Sequence, residues 1–393
     1  MHDRVVITGI GLVTALGNNV TENLHNLTNA VSGIKQMKFL VSEQKQFPVG
    51  EVKLSNQEMC EILDLPYDCH ISRTSLLGIL ALKEALKDSG LLDTKGLGLI
   101  SGTTVAGMDI TEQHYPEPLP PNKPPVHDCC SNTNFIADYF GLFDYTSTIS
   151  TACSSALNSL ILAKMLIENG VKYKVVAGGT EALSKFHLNG FRSLMILDEN
   201  PCRPFDKTRS GLNLGEGAAY LVLESESSAK ERGAKILGVL SGTGNACDAF
   251  HQTATSLSGE GAFLAMNKAI TSAGITPKDV DYISAHGTGT PDNDSSESAA
   301  ILRLFGDDYP PISSTKSLTG HTTSASGSIE AAFCLLAINN YFIPQNVGYS
   351  APDENCIVPF VGENTEDLKL NNVMCNAFGF GGNDSSIIIS RYE

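Results

Sequence analysis

Residues 147–168 read STISTACSSALNSLILAKMLIE, and this stretch decides the fold. Ser147 to Thr151 is rich in β-branched and small residues, the pattern of a buried strand. Small residues follow through Ala156, and then Leu157, Leu160, Ile161, Met165 and Leu166 recur at helical spacing, with charges only at Lys164 and Glu168. Cys153 therefore falls at a strand-to-helix turn, on or beside the first helical residue. Free amides and the helix dipole there would favour a thiolate and lower the thiol's pKa. The same amides could hold a developing oxyanion. A buried structural cysteine is the alternative that one such turn leaves open.

Working outward, Lys174 to Gly179 and Ala218 to Glu224 predict buried strands, and Gly98 to Thr103 a short one. Thr74 to Ser89 has helical periodicity, with Gly90 as its stop. Thr21 to Ala30 predicts a short helix, and Lys35 to Pro66 reads as polar and irregular. Arg4 to Ile10 is a strand running into Gly9-Ile10-Gly11. A dinucleotide-binding loop would need a third glycine where Thr14 stands, so a tight turn after the strand is expected instead. Met108 to Asn132 carries PEPLPPNKPPVHDCCSN, whose prolines exclude helix and sheet interior. A loop of that length is usually functional or interfacial. His127, Asp128, Cys129 and Cys130 within it are too close along the chain for tetrahedral metal ligation.

The pattern then repeats. Lys235 to Gly244 parallels the first strand, and Gly261 to Ala273 parallels the earlier helix. Val280 to Thr290 parallels Leu97 to Thr104, Pro311 to Asn339 parallels Ser147 to Glu168, and Ser385 to Ser390 parallels Ala218 to Glu224. This order-preserving echo predicts two α/β halves, 1–234 and 235–393, packed as one pseudo-symmetric unit.

Composition bounds what such a unit can do. The 393 residues are 42% hydrophobic and 18% charged, as in a globular protein with a large core. A net charge of -16 without any Lys/Arg-rich tract argues against nucleic acid and anionic membrane as partners. Ten cysteines lie scattered without a C-x-x-C pair, and MHDRVVITGIG lacks the features of a signal peptide. No apolar run reaches transmembrane length. A reduced, cytoplasmic, soluble protein is expected.

Three further stretches could carry chemistry. AHGTGTP, 285–291, sets His286 directly after an apolar strand among residues too small to cover it. SSTKSLTG, 313–320, leads to His321 and places Lys316 and His321 on the counterpart of the Cys153 turn. NAFGFGGN, 376–383, alternates glycine with phenylalanine and reads as a mobile turn that lets backbone approach a ligand, with a β-bulge as the alternative.

Together, TACSSA, AHGTGTP, STKSLTGH and NAFGFGGND resemble the four active-site motifs of β-ketoacyl-[acyl-carrier-protein] synthases of the elongating type, which carry two histidines. VVITGIGLVTALG at the start, VVAGGTEA, RPFDKTRSGLNLGEGAA and LRLFG extend the resemblance from about Val5 to Ile389. The resemblance implies the thiolase fold, two duplicated halves in a five-layered αβαβα unit. It implies an acyltransferase closest to 3-oxoacyl-[acyl-carrier-protein] synthase II. In that reading Cys153 takes an acyl chain, and His286 and His321 promote decarboxylation of malonyl-carrier protein. Lys316 would position His321. The amides of Cys153 and Phe380 would form the oxyanion hole, and Phe380 would gate the acyl pocket on Gly379 and Gly381. Thr104, Met108 and Ile110 would border the pocket. No metal or cofactor is implied, since phosphopantetheine belongs to the carrier protein.

That partner is acidic, so Arg73, Arg203, Lys207 and Arg209 are candidates for its docking, with structural ion pairs as the competing role. A homodimer, or a heterodimer with a ketosynthase-like subunit, is implied as well. The chain departs from the family pattern at Asp144-Tyr145, Asn293-Asp294, Gly381-Gly382-Asn383-Asp384 and Thr104 to Ile110, which favours a specialised polyene or polyketide pathway over housekeeping fatty-acid synthesis. The rivals are a non-catalytic chain-length-factor-like subunit, which would lack the nucleophile, and a cysteine hydrolase, which would leave the second histidine unexplained. A biosynthetic thiolase would need further cysteine and histidine motifs.

Overall fold

The computed structural model describes residues 3–67, 71–91, 96–117, 126–141, 143–362, 364 and 368–393. In chain order the first part gives β1 (Val5–Thr14), α1 (Val20–Thr28), α2 (Asn56–Leu63), α3 (Arg73–Ser89), β2 (Leu97–Gly102), α4 (Met108–His114) and α5 (Cys129–Phe140). Then come β3 (Phe143–Ile149), α6 (Ser155–Glu168), β4 (Lys174–Glu181), α7 (Lys185–Ser193), β5 (Gly217–Ser225) and α8 (Glu226–Glu231). The remainder gives β6 (Gly238–Cys247), α9 (Glu260–Ala273), β7 (Tyr282–Ser284), α10 (Pro291–Phe305) and β8 (Ile312–Ser313). It closes with α11 (Lys316–Thr319), α12 (Ser326–Asn340), β9 (Asn372–Gly379) and β10 (Asn383–Ser390).

The strands follow the order β3-β2-β4-β5-β1-β6-β10-β9-β7-β8. Read outward from the centre, each leaf runs first, fifth, fourth, second and third strand of its set. The pairings match too: antiparallel, antiparallel, parallel and parallel on each side. The leaves join where β1 meets β6 antiparallel, Val6 opposite Val239 and Ile7 opposite Gly238.

Alternation along each strand decides which layer a side chain enters. On β5, Ala219, Leu221 and Leu223 face inward onto α6 and α12, whereas Tyr220 and Val222 face outward onto α3. Met374 on β9 and Ile388 on β10 face outward onto α9, with Met266 and Ile270. Both faces of the central strands are therefore covered, which is why they read as continuous apolar runs. α12 lies between the leaves and is buried from Ser326 to Ile338. Its apolar surface all round follows from that position. The layers are thus α-β-α-β-α.

Four expectations need correction. Gly9-Ile10-Gly11 is not a turn, because β1 runs on to Thr14. The glycines are there because α3 lies against the strand: a Cβ on Gly11 would sit 1.8 Å from the Ala81 carbonyl oxygen, and one on Gly9 2.5 Å from that of Ala85. The strand before Cys153 is not buried. β3 is an outer strand, paired only with β2 and partly exposed along its length. The polar stretch from Lys35 contains α2, started by a reciprocal cap between Ser55 and Glu58. The loop from Met108 contains α4 and the first turn of α5, while residues 118–125 of its proline-rich part lie outside the described residues.

Candidate active site

β3 delivers Cys153, but α6 begins only at Ser155. Between them Ala152 takes φ 51°, a left-handed bend that turns the chain sharply. Small side chains brace the bend. Ser155 Oγ donates to the Ala152 carbonyl at 2.6 Å and accepts from the Thr151 amide at 2.9 Å, and Ser154 Oγ donates to the Thr151 carbonyl at 2.7 Å. Cys153 is 6% exposed. Burial pushes its thiol up to about 11, against the pull of the Lys316 charge and of the Phe380 and Cys153 amides. The lowered pKa expected from the helix terminus is thus overturned, since desolvation of the anion outweighs the nearby dipoles. The resting group is a thiol. Its Sγ lies 3.1 Å from His321 Nε2, so the S–H donates to that nitrogen.

The other groups come from the second leaf. The loop after β7 carries His286 and is held by two carboxylates one turn apart on α10. Glu297 accepts from the His286 and Gly287 amides at 2.9 and 2.8 Å, and Asp294 accepts from the Gly289 amide at 3.2 Å. The His286 and His321 rings stand edge to face, centroids 5.3 Å apart. His286 Nδ1 is buried without a hydrogen-bond partner. An unpaired acceptor there costs less than an unpaired N–H, which puts the proton on Nε2. His321 Nδ1 is within 2.9 Å of Ser326 Oγ, at the start of α12. Burial and the Lys316 charge push both histidines well below their ordinary pKa, so both are neutral.

Lys316 opens α11 at 1% exposure and is ion-paired with Glu330 of α12, which is 3% exposed. Burial pushes the Glu330 carboxyl up to about 7 against the pull of Lys316. Glu330 Oε2 has no hydrogen-bond partner.

A cavity of about 430 Å³ reaches Cys153, His286 and His321, with Phe191, Met195 and Phe380 on its walls. The Phe380 ring stacks on Phe191, centroids 5.7 Å apart. Beside it Gly381 and Gly382 take φ 85° and 77°, values that side chains resist. Gly379 has no positive φ. It admits the strand end to the nucleophile turn: a Cβ there would lie 2.9 Å from the Thr151 carbonyl oxygen and 3.3 Å from the Cys153 amide nitrogen.

The structure therefore brings Cys153, His286, His321, Phe380 and Gly379 together, with Lys316 behind them. Thr104, Met108 and Ile110 do not line this cavity. Thr104 is held by Glu181, which accepts from its amide and hydroxyl at 2.7 and 2.5 Å, and Ile110 is 1% exposed. Two docking candidates also fall away. Arg73 is 7% exposed and forked onto Glu216, and Arg209 is 8% exposed between Asp294 and Asp353. Arg203 is half-buried on Asp198, and Lys207 alone of the four is exposed. Among the described residues no group of three His, Cys, Asp or Glu could hold a metal, and no helix is long and apolar enough to cross a membrane. Among the described residues Cys129, Cys130, Cys153, Cys202, Cys247, Cys334, Cys356 and Cys375 are free thiols.

Sequence reasoning missed Glu330, Glu297 and Ser326. Glu330 left one visible signal, a lone acid in an otherwise apolar helix.

The comparisons agree with this geometry. The model of the β-ketoacyl synthase N-terminal domain matches residues 2–229, and that of the C-terminal domain matches 237–350. A 3-oxoacyl-[acyl-carrier-protein] synthase 2 from Staphylococcus aureus (strain COL) is 33% identical over 100% of this chain and 99% of its own. The ishigamide ketosynthase/chain length factor structure superposes with a TM-score of 0.93 at 29% identity, over 100% of both chains. A type II PKS acyl-carrier protein in complex with its ketosynthase, AntDE:AntF, gives 0.88 at 28% identity, again over 100% of both chains. Two leaves of the thiolase fold, a thiol facing two histidines and full-length relatives lead to one assignment: the chain belongs to the β-ketoacyl synthase family.

Proposed function

We propose that the chain is a 3-oxoacyl-[acyl-carrier-protein] synthase that extends an acyl chain by two carbons. The observation that carries this reading is the Cys153 thiol 3.1 Å from a neutral His321, with a second neutral histidine beside it at the end of an open cavity. The thiol passes its proton to His321 Nε2 as sulfur attacks the incoming thioester. The Cys153 and Phe380 amides take the oxyanion, and the proton leaves with the carrier's thiol. Malonyl-carrier protein then loses CO2. Its thioester oxygen becomes an enolate oxygen, held by His286 Nε2–H and by His321, which, with no thiol left to face, takes the tautomer protonated on Nε2 while Nδ1 accepts from Ser326 Oγ. The enolate carbon attacks the Cys153 thioester, and the thiolate that departs takes a proton from solvent. Lys316, paired with Glu330, sets a positive field behind the histidines and keeps them neutral. No step needs a metal or a nucleotide.

The partners are an acidic carrier protein and a second ketosynthase-like subunit, as in the two complexes compared above. The halves 1–234 and 235–393 act as one unit, in the reducing cytoplasm, within a specialised polyene or polyketide pathway. The presence of Cys153, His286, Lys316 and His321 supports an active subunit over a chain-length-factor-like one. The test is incubation with a panel of acyl-carrier proteins and malonyl-carrier protein, read by intact mass. Acyl-enzyme on Cys153 and a ketoacyl product two carbons longer are expected. No acylation by any member of the panel would overturn the assignment.

A further inference from the structure

The turn that carries Phe380 has one end fixed by side chains. Asn383, first residue of β10, accepts at Oδ1 from Asn158 Nδ2 at 2.7 Å and Asn245 Nδ2 at 3.0 Å, and lies 2.8 Å from Ser154 Oγ, whose single proton it shares with the Thr151 carbonyl. Asn158 is the other hub. Its Nδ2 also donates to Thr151 Oγ1 at 2.9 Å, and its Oδ1 accepts from Asn245 Nδ2 at 2.9 Å and Ser385 Oγ at 2.9 Å. Thr151 and Ser154 bracket Cys153, while Asn383 and Ser385 follow the Phe380 turn. The backbone of Asn383 is in addition paired on both sides, with Gly379 and with Cys247.

We propose that Asn158 and Asn383 are positioning residues that clamp the nucleophile turn to the base of the Phe380 turn. They hold the Cys153 and Phe380 amides at a fixed separation while Gly381 and Gly382 let the ring swing. An oxyanion hole built from two loops needs such a tie, because neither loop alone fixes the distance between the donors. An ordinary packing role would steady the thiol and the hole equally. A clamp affects the hole far more than the thiol. Asn383 works only as an acceptor in this network, so aspartate preserves its function and leucine, of similar size, removes it.

The inference rests on the acyl-transfer reading, and its test separates the two. Rates of Cys153 alkylation by iodoacetamide, which needs no oxyanion hole, are compared with single-turnover acylation from acyl-carrier protein in wild type, Asn383→Leu and Asn383→Asp. Amide hydrogen exchange of 150–156 and 376–384 is followed in the same proteins. Asn383→Leu should lose about ten- to a hundredfold in acylation, the scale of a displaced catalytic group. Its alkylation should stay within about twofold of wild type on the same argument. Exchange should rise in those two segments alone, and Asn383→Asp should restore most of the acylation. Equal losses in both reactions, or unchanged exchange in Asn383→Leu, would overturn the clamp. A wild type that takes no acyl group would instead overturn the functional reading, and the exchange data would still decide the clamp.

Discussion

His321 Nε2 and Cys153 Sγ, 3.1 Å apart, come from opposite leaves of the structure. The cysteine arrives at the end of an outer strand of the first leaf, and the histidine follows the short α11 of the second. Neither is titrated at neutral pH, because burial keeps the sulfur protonated and the imidazole neutral. The pair is therefore a thiol waiting for a proton acceptor already in contact, and activation occurs during attack rather than before it.

That state predicts slow alkylation of the resting enzyme. Cys153 should react with iodoacetamide more slowly than a free thiol at pH 7, and the rate should climb toward pH 11. Cys153→Ala should take no acyl group and form no product. Cys153→Gln should stop condensation while leaving, or raising, malonyl decarboxylation. Acyl-enzyme found by intact mass on Cys153→Ala would sink the assignment.

Lys316 and Glu330 form a buried ion pair, so removing one partner strands the other. Lys316→Met and Glu330→Leu should each cost about 3–5 kcal/mol of stability. The double variant should recover most of it, by thermal or urea unfolding. Activity should not recover, because the histidines lose the field behind them. A double variant with normal condensation would reduce the pair to packing.

If the histidines donate to the enolate, His286→Ala and His321→Ala should each lower decarboxylation about a hundred- to a thousandfold. Both variants should still accept some acyl group on Cys153. Stability should show them as well. Their folded pKa lies below the ordinary 6.5, so below about pH 6.5 the unfolded chain takes up protons that the folded one refuses. Each histidine should by itself weaken the fold as pH falls from 7 to 5.5, by at most about 1.4 kcal/mol per unit. Relative to wild type, His286→Asn should gain stability as pH falls through this range, and an identical slope would contradict the buried neutral assignment.

Asp384 gives the opposite sign. Burial and the nearby Asp248 charge push its carboxyl from 3.8 to about 8. Between these values the folded chain holds a proton that the unfolded one has lost, so the contribution of Asp384 to stability falls as pH rises from about 4 to 8. Glu297 and Glu330, each pushed up to about 7, add to the same trend. Asp384→Asn should flatten the decline, and its melting temperature should exceed that of wild type at pH 8–9. A variant no more stable than wild type there would show that the Asp384 carboxyl is not raised in the folded protein.

Phe380 stacks on Phe191 across the cavity, which makes the ring a removable wall. Phe380→Ala should weaken discrimination among acyl chains with little effect on folding. A Cβ on Gly381 meets nothing within 4 Å, so Gly381→Ala tests φ alone. Holding alanine at a left-handed φ costs about 1–2 kcal/mol. The variant should slow acyl transfer for every chain alike. Acylation rates with short, long and aryl-capped carrier proteins distinguish the two outcomes, and unchanged relative rates in Phe380→Ala would make it plain core.

The repeat was legible in the sequence because each leaf writes its alternation and turns in the same order, from Arg4 onward and again from Lys235. The four motifs were legible because small residues cannot hide a cysteine or a histidine. What the sequence could not convey was which groups lie behind those motifs. Glu330 sits in an apolar helix and meets Lys316 only because α11 and α12 fold back on each other. The pKa of Cys153 was misjudged because a dipole can be read locally, whereas desolvation depends on everything packed around the sulfur. β3 looked buried because β-branched composition marks a strand without saying whether both edges are paired. Arg73 and Arg209 looked like surface charges because their acids, Glu216 and Asp353, lie 143 and 144 positions away. The helix α2 could have been found, since its Ser55 and Glu58 spell a cap.

The repeated strand order has a consequence for how the protein comes to life on the ribosome. Cys153 is made long before His321, and the Phe380 amide belongs to the β9–β10 hairpin, whose inner partner β6 was made well before it. Until His321 has folded against the nucleophile turn and that hairpin has zipped in, the thiol lacks its proton acceptor and a complete oxyanion hole. A half-made chain therefore carries an inert cysteine, and the completion of the second leaf is itself the event that arms the enzyme.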